Sequence, residues 1–205
     1  MTVAEAQTEP MTGPARKAPL ASWVAIAFST SVVATALFAC SGSSRSGTTA
    51  RTTATPTTLP DIAPTAADFV NINTMTHVGD RFVGSLNGHR AEAVAVARSA
   101  TGGVYPVGTV IQLVPLEAMV KRSKGYSAAT RDWEFFSLAP SAQGTRILKR
   151  GTTNINNPAG NCASCHSAAP PRFDFVCTKS HGCPGLTLPD SVIATLQHDD
   201  PRPNK

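Results

Sequence analysis

Tyr105-Pro106-Val107-Gly108-Thr109-Val110-Ile111-Gln112-Leu113-Val114 is the run on which the fold turns. Its β-branched start, Thr109-Val110-Ile111, reads as a strand, and Pro115 ends it. Upstream, Ala91-Glu92-Ala93-Val94-Ala95-Val96-Ala97-Arg98 points both ways, because alanine favours helix while the valine alternation favours strand. With the turn signal Thr101-Gly102-Gly103 directly after it, it reads as a second strand. Downstream, Leu116-Glu117-Ala118-Met119-Val120-Lys121-Arg122 has helix-forming composition for about two turns, with Gly125 as a cap. Asp132-Trp133-Glu134-Phe135-Phe136-Ser137-Leu138 suits a buried strand, and Arg146-Ile147-Leu148-Lys149-Arg150 is a shorter one. The Asn-, Pro- and Gly-rich run from Thr152 to Asn161 reads as a loop. No internal repeat is visible. From the residues alone the expectation is a mixed α+β domain over residues 67–190, with more strand than helix.

That loop delivers Cys162-Ala163-Ser164-Cys165-His166. Two cysteines two residues apart, followed at once by histidine, form the attachment pattern of a c-type haem. Each thiol adds to one vinyl group, and the spacing lets both sulfurs reach the same edge of the macrocycle. The adjacent His166 then supplies an axial nitrogen to the iron. The expected cofactor is therefore one covalent haem c on Cys162 and Cys165.

Length and composition bound the rest. At 205 residues there is room for one domain plus tails, and the net charge is a modest +5 with 15% of residues charged. The basic clusters Lys121-Arg122-Ser123-Lys124 and Lys149-Arg150 read as solvated surface, so no nucleic-acid partner is expected. Arg16 and Lys17 precede an uncharged, largely apolar stretch from Leu20 to Ala39, the order of an export signal. Leu37-Phe38-Ala39-Cys40 resembles a bacterial lipobox in which Cys40 is lipidated, although Phe38 is unusual there. An uncleaved membrane anchor over 1–40 is the other reading, because the stretch is nearly long enough to span a bilayer. Either way the rest of the chain sits outside the cytoplasm, in the bacterial cell envelope. Residues 41–66 are almost all Ser, Thr, Gly, Ala and Pro and read as a disordered tether. It would span roughly 25–30 Å, enough to reach soluble or membrane redox partners. The tail, 191–205, reads as disordered beyond a short helix.

Of five cysteines, Cys40 goes to lipid and two to haem, leaving Cys177 and Cys183. In an oxidising compartment a disulfide is their natural pairing, stabilising by about 2–3 kcal/mol. A small metal site on Cys177, His181 and Cys183 stays conceivable, with only three ligands.

The order of elements resembles the cytochrome P-460 family and its haem-binding relatives over roughly residues 75–185. The carriers are Tyr105–Ile111, Leu116–Lys121, Asp132–Phe136, the Cys162–His166 motif and Asp174-Phe175-Val176 after it. The resemblance implies a mainly antiparallel β fold, commonly a homodimer, with one haem per chain. In catalytic members a lysine on the strand after the Gly-Thr turn is cross-linked to the haem. Aligned through Thr109-Val110, Leu113 stands there with Gln112 beside it, and neither offers an amine. Lys121 and Lys124 follow on the next element with nothing to suggest that they replace it. Cys177 is a second departure, standing where the family has an aromatic residue.

With His166 on one face, the other face of the iron decides function: an open site takes NO, hydroxylamine or peroxide, and a filled one favours electron transfer. Candidate sixth ligands are Met75, His77, His89, Met119 and His181. Oxidising hydroxylamine requires a base, for which Asp174 is the candidate and Asp132 and Glu134 are weaker. The plainer reading of Asp174 is a carboxylate paired with Arg172 or Lys179. Trp133, Phe135 and Phe136 read as core. The leading expectation is a monohaem protein binding small nitrogen ligands, with possible redox conversion. The alternative is a membrane-tethered electron-transfer cytochrome with six-coordinate haem, and a third is a haem needed chiefly for folding.

Overall fold

A computed structural model describes residues 61–157, 160–184 and 187–204. The signal, lipobox Cys40 and tether readings over 1–60 lie outside the described residues. Among the described residues eight strands and three α-helices, besides short 3-10 turns, follow in chain order: β1 (Thr76–Val78), β2 (Arg81–Ser85), α1 (Arg90–Arg98), β3 (Thr109–Gln112), β4 (Glu117–Lys121), β5 (Trp133–Ser141), β6 (Gly144–Gly151), β7 (Asn156–Asn157), β8 (Gly160–Asn161), α2 (Cys162–His166) and α3 (Asp190–His198). Strands β1 to β6 form one antiparallel sheet in sequence order, so the expected mainly antiparallel α+β class is what the chain adopts.

Alternation of side chains along the strands divides the core into two layers. Val83, Ile111, Met119 and Phe135 stand opposite one another across β2 to β5 and form a row on one face. That face packs on Ala93 and Ala97 of α1 and on Cys162, Phe175 and Val176. Val110, Ala118, Val120, Phe136 and Leu138 point the other way and pack with Phe69.

Two elements differ from their sequence reading. Residues 90–98 are helix rather than strand: four alanines tip the propensity, and Ala93 and Ala97, one turn apart, are buried on the face toward the core. The run 117–121 is strand rather than helix. It lies between β3 and β5, so Met119 is buried in one layer and Ala118 and Val120 in the other, and that double burial overrides helix propensity. Gly125 accordingly caps no helix. It takes φ +94° in a turn, its N–H donating to Asp132 Oδ1 at 3.1 Å.

The domain boundaries also move outward. Asp61, assigned to the tether, accepts from Arg122 Nε at 3.1 Å and from the Ser123 N–H at 3.0 Å. At the other end, 191–204 is packed rather than disordered. Asp200 and Arg202 are buried as an ion pair, the Ile72 N–H donates to Asp200 Oδ2 at 2.8 Å, and Asn71 Nδ2 donates to the Arg202 carbonyl at 2.6 Å. Among the described residues no helix is long and apolar enough to cross a membrane.

Candidate functional site

The loop before the cysteine motif carries the short β7–β8 ladder, and the Cys162 N–H donates to the Ile155 carbonyl at 2.9 Å. Asn161 then caps α2, its Oδ1 accepting from the Ser164 N–H at 3.0 Å. One helical turn sets Cys162 and Cys165 on the same side of α2, with His166 next to them. Cys162 is buried and Cys165 partly so; both are free thiols. Burial, reinforced by the charge of Glu117, pushes the Cys162 thiol up to about 12 and raises that of Cys165. A thiol so protonated is a poor nucleophile or redox centre in its own right.

His166 Nδ1 lies 2.9 Å from the Phe175 carbonyl oxygen. A carbonyl only accepts, so Nδ1 carries the proton and Nε2 presents its lone pair. Burial lowers the imidazole's pKa and keeps the ring neutral. Phe135 packs edge-on against it at 5.2 Å. The carbonyl is aimed by two consecutive left-handed residues, Asp174 (φ +50°) and Phe175 (φ +69°).

Asp174 holds that turn in place. Its carboxylate accepts from the Tyr105 N–H at 2.9 Å and from Lys121 Nζ at 2.8 Å, and its carbonyl accepts from Trp133 Nε1 at 2.6 Å. Burial raises its pKa against the pull of Lys121. It does not line the cavity described below, so the catalytic-base reading is corrected to that of a positioning residue. The paired reading comes closer, with Lys121 as partner in place of Arg172, which stacks on Phe173, or Lys179, which reaches Asp190 at 2.5 Å. The weaker candidates are also structural. Asp132 Oδ1 accepts from the Gly125 and Ser127 N–H groups, and buried Glu134 is clamped between Arg122 and Arg150.

Cys162, Cys165 and His166 form one wall of a cavity of about 350 Å³. The sheet supplies Ile111, Leu113, Met119 and Phe135, and α3 supplies Ile193 and Gln197. Leu113 therefore faces the cavity at the position aligned with the family lysine, whereas Gln112 is buried and donates to the Glu117 carbonyl at 2.7 Å. Lys121 belongs to β4 and is buried against Asp174 and over the Trp133 ring, while Lys124 is exposed; neither lines the cavity.

Of the candidate sixth ligands, Met119 and His77 line the cavity; Met75, His89 and His181 do not. His77 is exposed and packs at a tilt against Phe82, and Met119 is packed in the core row. His181 stacks on Phe173 at 3.6 Å. Cys177 and Cys183 are disulfide-bonded with Cα atoms 5.6 Å apart, which removes the three-ligand metal alternative with His181. The stapled loop borders the cavity through Cys177, Thr178 and Cys183.

Three contributors were not anticipated. Glu117, placed on a helix by composition, is the first residue of β4 and lines the cavity. Burial pushes its carboxyl up to about 7, and Asn157 Nδ2 donates to it. Reading 117–121 as strand would have put Glu117 on the same face as Met119 by alternation. Arg81 enters by the same parity with Val83. Helix α3 was expected only as a short helix of the tail, with nothing to place it at the cavity, since it lies past the region of resemblance.

The site fits a haem: two protonated thiols on one helix, an imidazole with a free Nε2, apolar walls, and a volume within the range of ligand and cofactor sites. Among the described residues no cluster of three His, Cys, Asp or Glu side chains could hold a bare metal ion. No protein-family model, curated protein or solved structure matches the chain.

Proposed function

We propose that this chain is an exported monohaem c-type cytochrome of the cytochrome P-460 type, with haem on Cys162 and Cys165, His166 Nε2 as the axial nitrogen, and a small nitrogen ligand such as NO or hydroxylamine on the other face. The observation that carries this is the Cys-x-x-Cys-His helix forming a cavity wall with its histidine already held in the Nδ1–H form by the Phe175 carbonyl. Bound there, a haem would supply a one-electron iron centre able to take a small ligand.

The chain's own groups then divide the work. Phe175 and Asp174 orient the imidazole. Leu113, Met119 and Ile193 give the cavity apolar wall. Glu117, with its carboxyl near 7, is the group able to hold or release a proton at Oε beside a reacting ligand. Leu113 provides no amine for a cross-link, which favours ligand binding, sensing or slow conversion over fast hydroxylamine turnover. The disulfide supports an oxidising compartment. Lipidation at Cys40, a homodimer and a redox partner belong to the same proposal.

The electron-transfer alternative draws on Met119 and His77, a thioether and an imidazole at the cavity wall. Optical spectra of the ferrous protein with and without NO separate the two. A five-coordinate iron that shifts on adding NO is expected. A six-coordinate, low-spin iron that ignores NO assigns the chain to electron transfer.

A further inference from the structure

Strand β6 ends the six-stranded sheet at one edge, next to β5. Its pairing slips by one residue. Lys149 stands opposite Ser137 and Ile147 opposite Leu138, so Leu148 is the extra residue of a β-bulge. The slip changes which side chains share a face. With Arg146 opposite Ala139 and Lys149 opposite Ser137, both cations fall on the side of the sheet that Phe135 occupies, where strict alternation would part them. Arg146, Leu148 and Lys149 are all exposed, Leu148 to 48%. Arg150 is taken by Glu134, but neither Arg146 nor Lys149 has an ion-pair partner among the described residues. The neighbouring sequence supplies no counter-charge either: no Asp or Glu occurs between Glu134, which is buried, and Asp174. The turn at 66–68 packs against β6 and carries Asp68, whose carboxylate accepts from the Thr65 N–H at 2.7 Å and the Thr65 hydroxyl at 2.8 Å.

What meets this edge follows from where the rest of the chain joins the domain. Asp61, the first described residue, is pinned to Arg122 and Ser123, and from there the chain runs beside β6. The Pro64 carbonyl accepts from Arg150 Nη1 at 2.8 Å and the Phe69 carbonyl from the Thr145 hydroxyl at 2.7 Å. Twenty residues separate Cys40 from Asp61. A flexible chain of that length reaches about 25 Å, so a lipid on Cys40 would keep β6 close to a bilayer. At the resulting effective concentration a weak contact is enough. Two unpaired cations beside an exposed leucine match an anionic lipid surface, the cations meeting headgroup phosphates and the leucine the apolar boundary beneath them. A second copy of β6 fits less well, since antiparallel self-pairing sets Arg146, Lys149 and Arg150 against one another. We propose that the β6 edge, through Arg146, Leu148 and Lys149, docks on an anionic phospholipid bilayer. This rests on the reading of Cys40 as lipidated and extends it to a fixed orientation of the domain on the membrane.

The test uses the full-length chain, with the lipid it carries, reconstituted into vesicles of phosphatidylcholine alone or of phosphatidylcholine with phosphatidylglycerol. Hydrogen exchange of the peptide covering 144–151 is read by mass spectrometry. Exchange several-fold slower on the anionic vesicles than on the neutral ones is expected. The difference should vanish in 1 M salt, where screening shortens to about 3 Å. The double variant Arg146→Gln, Lys149→Gln is expected to lose the difference, because each cation at such a surface strengthens binding roughly fivefold. Each variant is compared with itself on the two lipids, so a change in its own folding cancels. If the double variant does not accumulate, Lys149→Gln alone is expected to diminish the difference. A wild-type chain with no lipid on Cys40, recovered in the soluble fraction, defeats the anchoring reading and the docking with it. An anchored chain whose 144–151 peptide exchanges equally on both lipids overturns the docking alone. Slowing that the variants retain in full overturns it as well.

Discussion

His166 Nδ1 lies 2.9 Å from the carbonyl oxygen of Phe175, nine residues further along the chain. That bond fixes the tautomer of the ring and leaves Nε2 as its free nitrogen. It also ties α2 to a turn whose shape is set elsewhere, by the contacts of Asp174 with Tyr105, Lys121 and Trp133.

Asp174→Asn keeps the shape of the side chain and leaves the Lys121 ammonium buried without its counter-charge. Breaking a buried pair in this way costs about 3 kcal/mol, which chemical denaturation would report. The iron–histidine stretching band of the ferrous holoprotein should shift too, because the Phe175 carbonyl loses its support. Loss of stability with that band unmoved would mean that Asp174 has no positioning role.

Glu117 makes the domain sensitive to pH in a stated direction. Its folded pKa of about 7 lies above the unfolded carboxylate value, so between roughly pH 4.5 and 7 the native state holds a proton that the unfolded chain has lost. Stability from this group is therefore full below pH 4.5 and falls as pH rises through 7, by at most about 3 kcal/mol. Glu117→Gln should remove that dependence: more stable than wild type at pH 8, indistinguishable at pH 4. Equal stability at pH 8 would contradict the burial of this carboxyl.

Cutting the Cys177–Cys183 staple with Cys177→Ser and Cys183→Ser should cost about 2 kcal/mol in the chain-entropy picture. Because the loop borders the cavity, ligand association should also become faster. Stopped-flow binding of NO reads that second effect.

Arg202→Ala tests the C-terminal lock. It strands Asp200, a buried carboxylate at 9% exposure, and should cost about 3 kcal/mol. Thermal melting would report it, and an unchanged melting temperature would show that the segment after α3 adds nothing to the fold.

The strands at 109–112 and 133–141 were legible because β-branched and aromatic residues coincide there with burial, whereas 144–151 has no buried residue and showed only through Arg146–Arg150. Residues 90–98 and 117–121 exchanged identities for one physical reason. Short amphiphilic runs rich in alanine or Leu-Glu-Ala-Met take their conformation from the surface that they meet, and that surface is assembled from distant residues. At the site, Cys162, Cys165, His166 and the Cys177–Cys183 pair could be read from spacing. Asp174 was found but misassigned, since Lys121 lies 53 residues away in the chain and meets it only through the β4 register. Glu117 and Arg81 stayed hidden until strand parity placed them on the cavity face.

The most direct measurement is mass spectrometry of the proteolytic peptide spanning residues 162–166, taken from protein produced with a c-type maturation system and denatured before digestion. One haem held through thioethers at both Cys162 and Cys165 is the expected result. A peptide with free, alkylatable thiols at both positions would contradict the haem assignment and everything built on it.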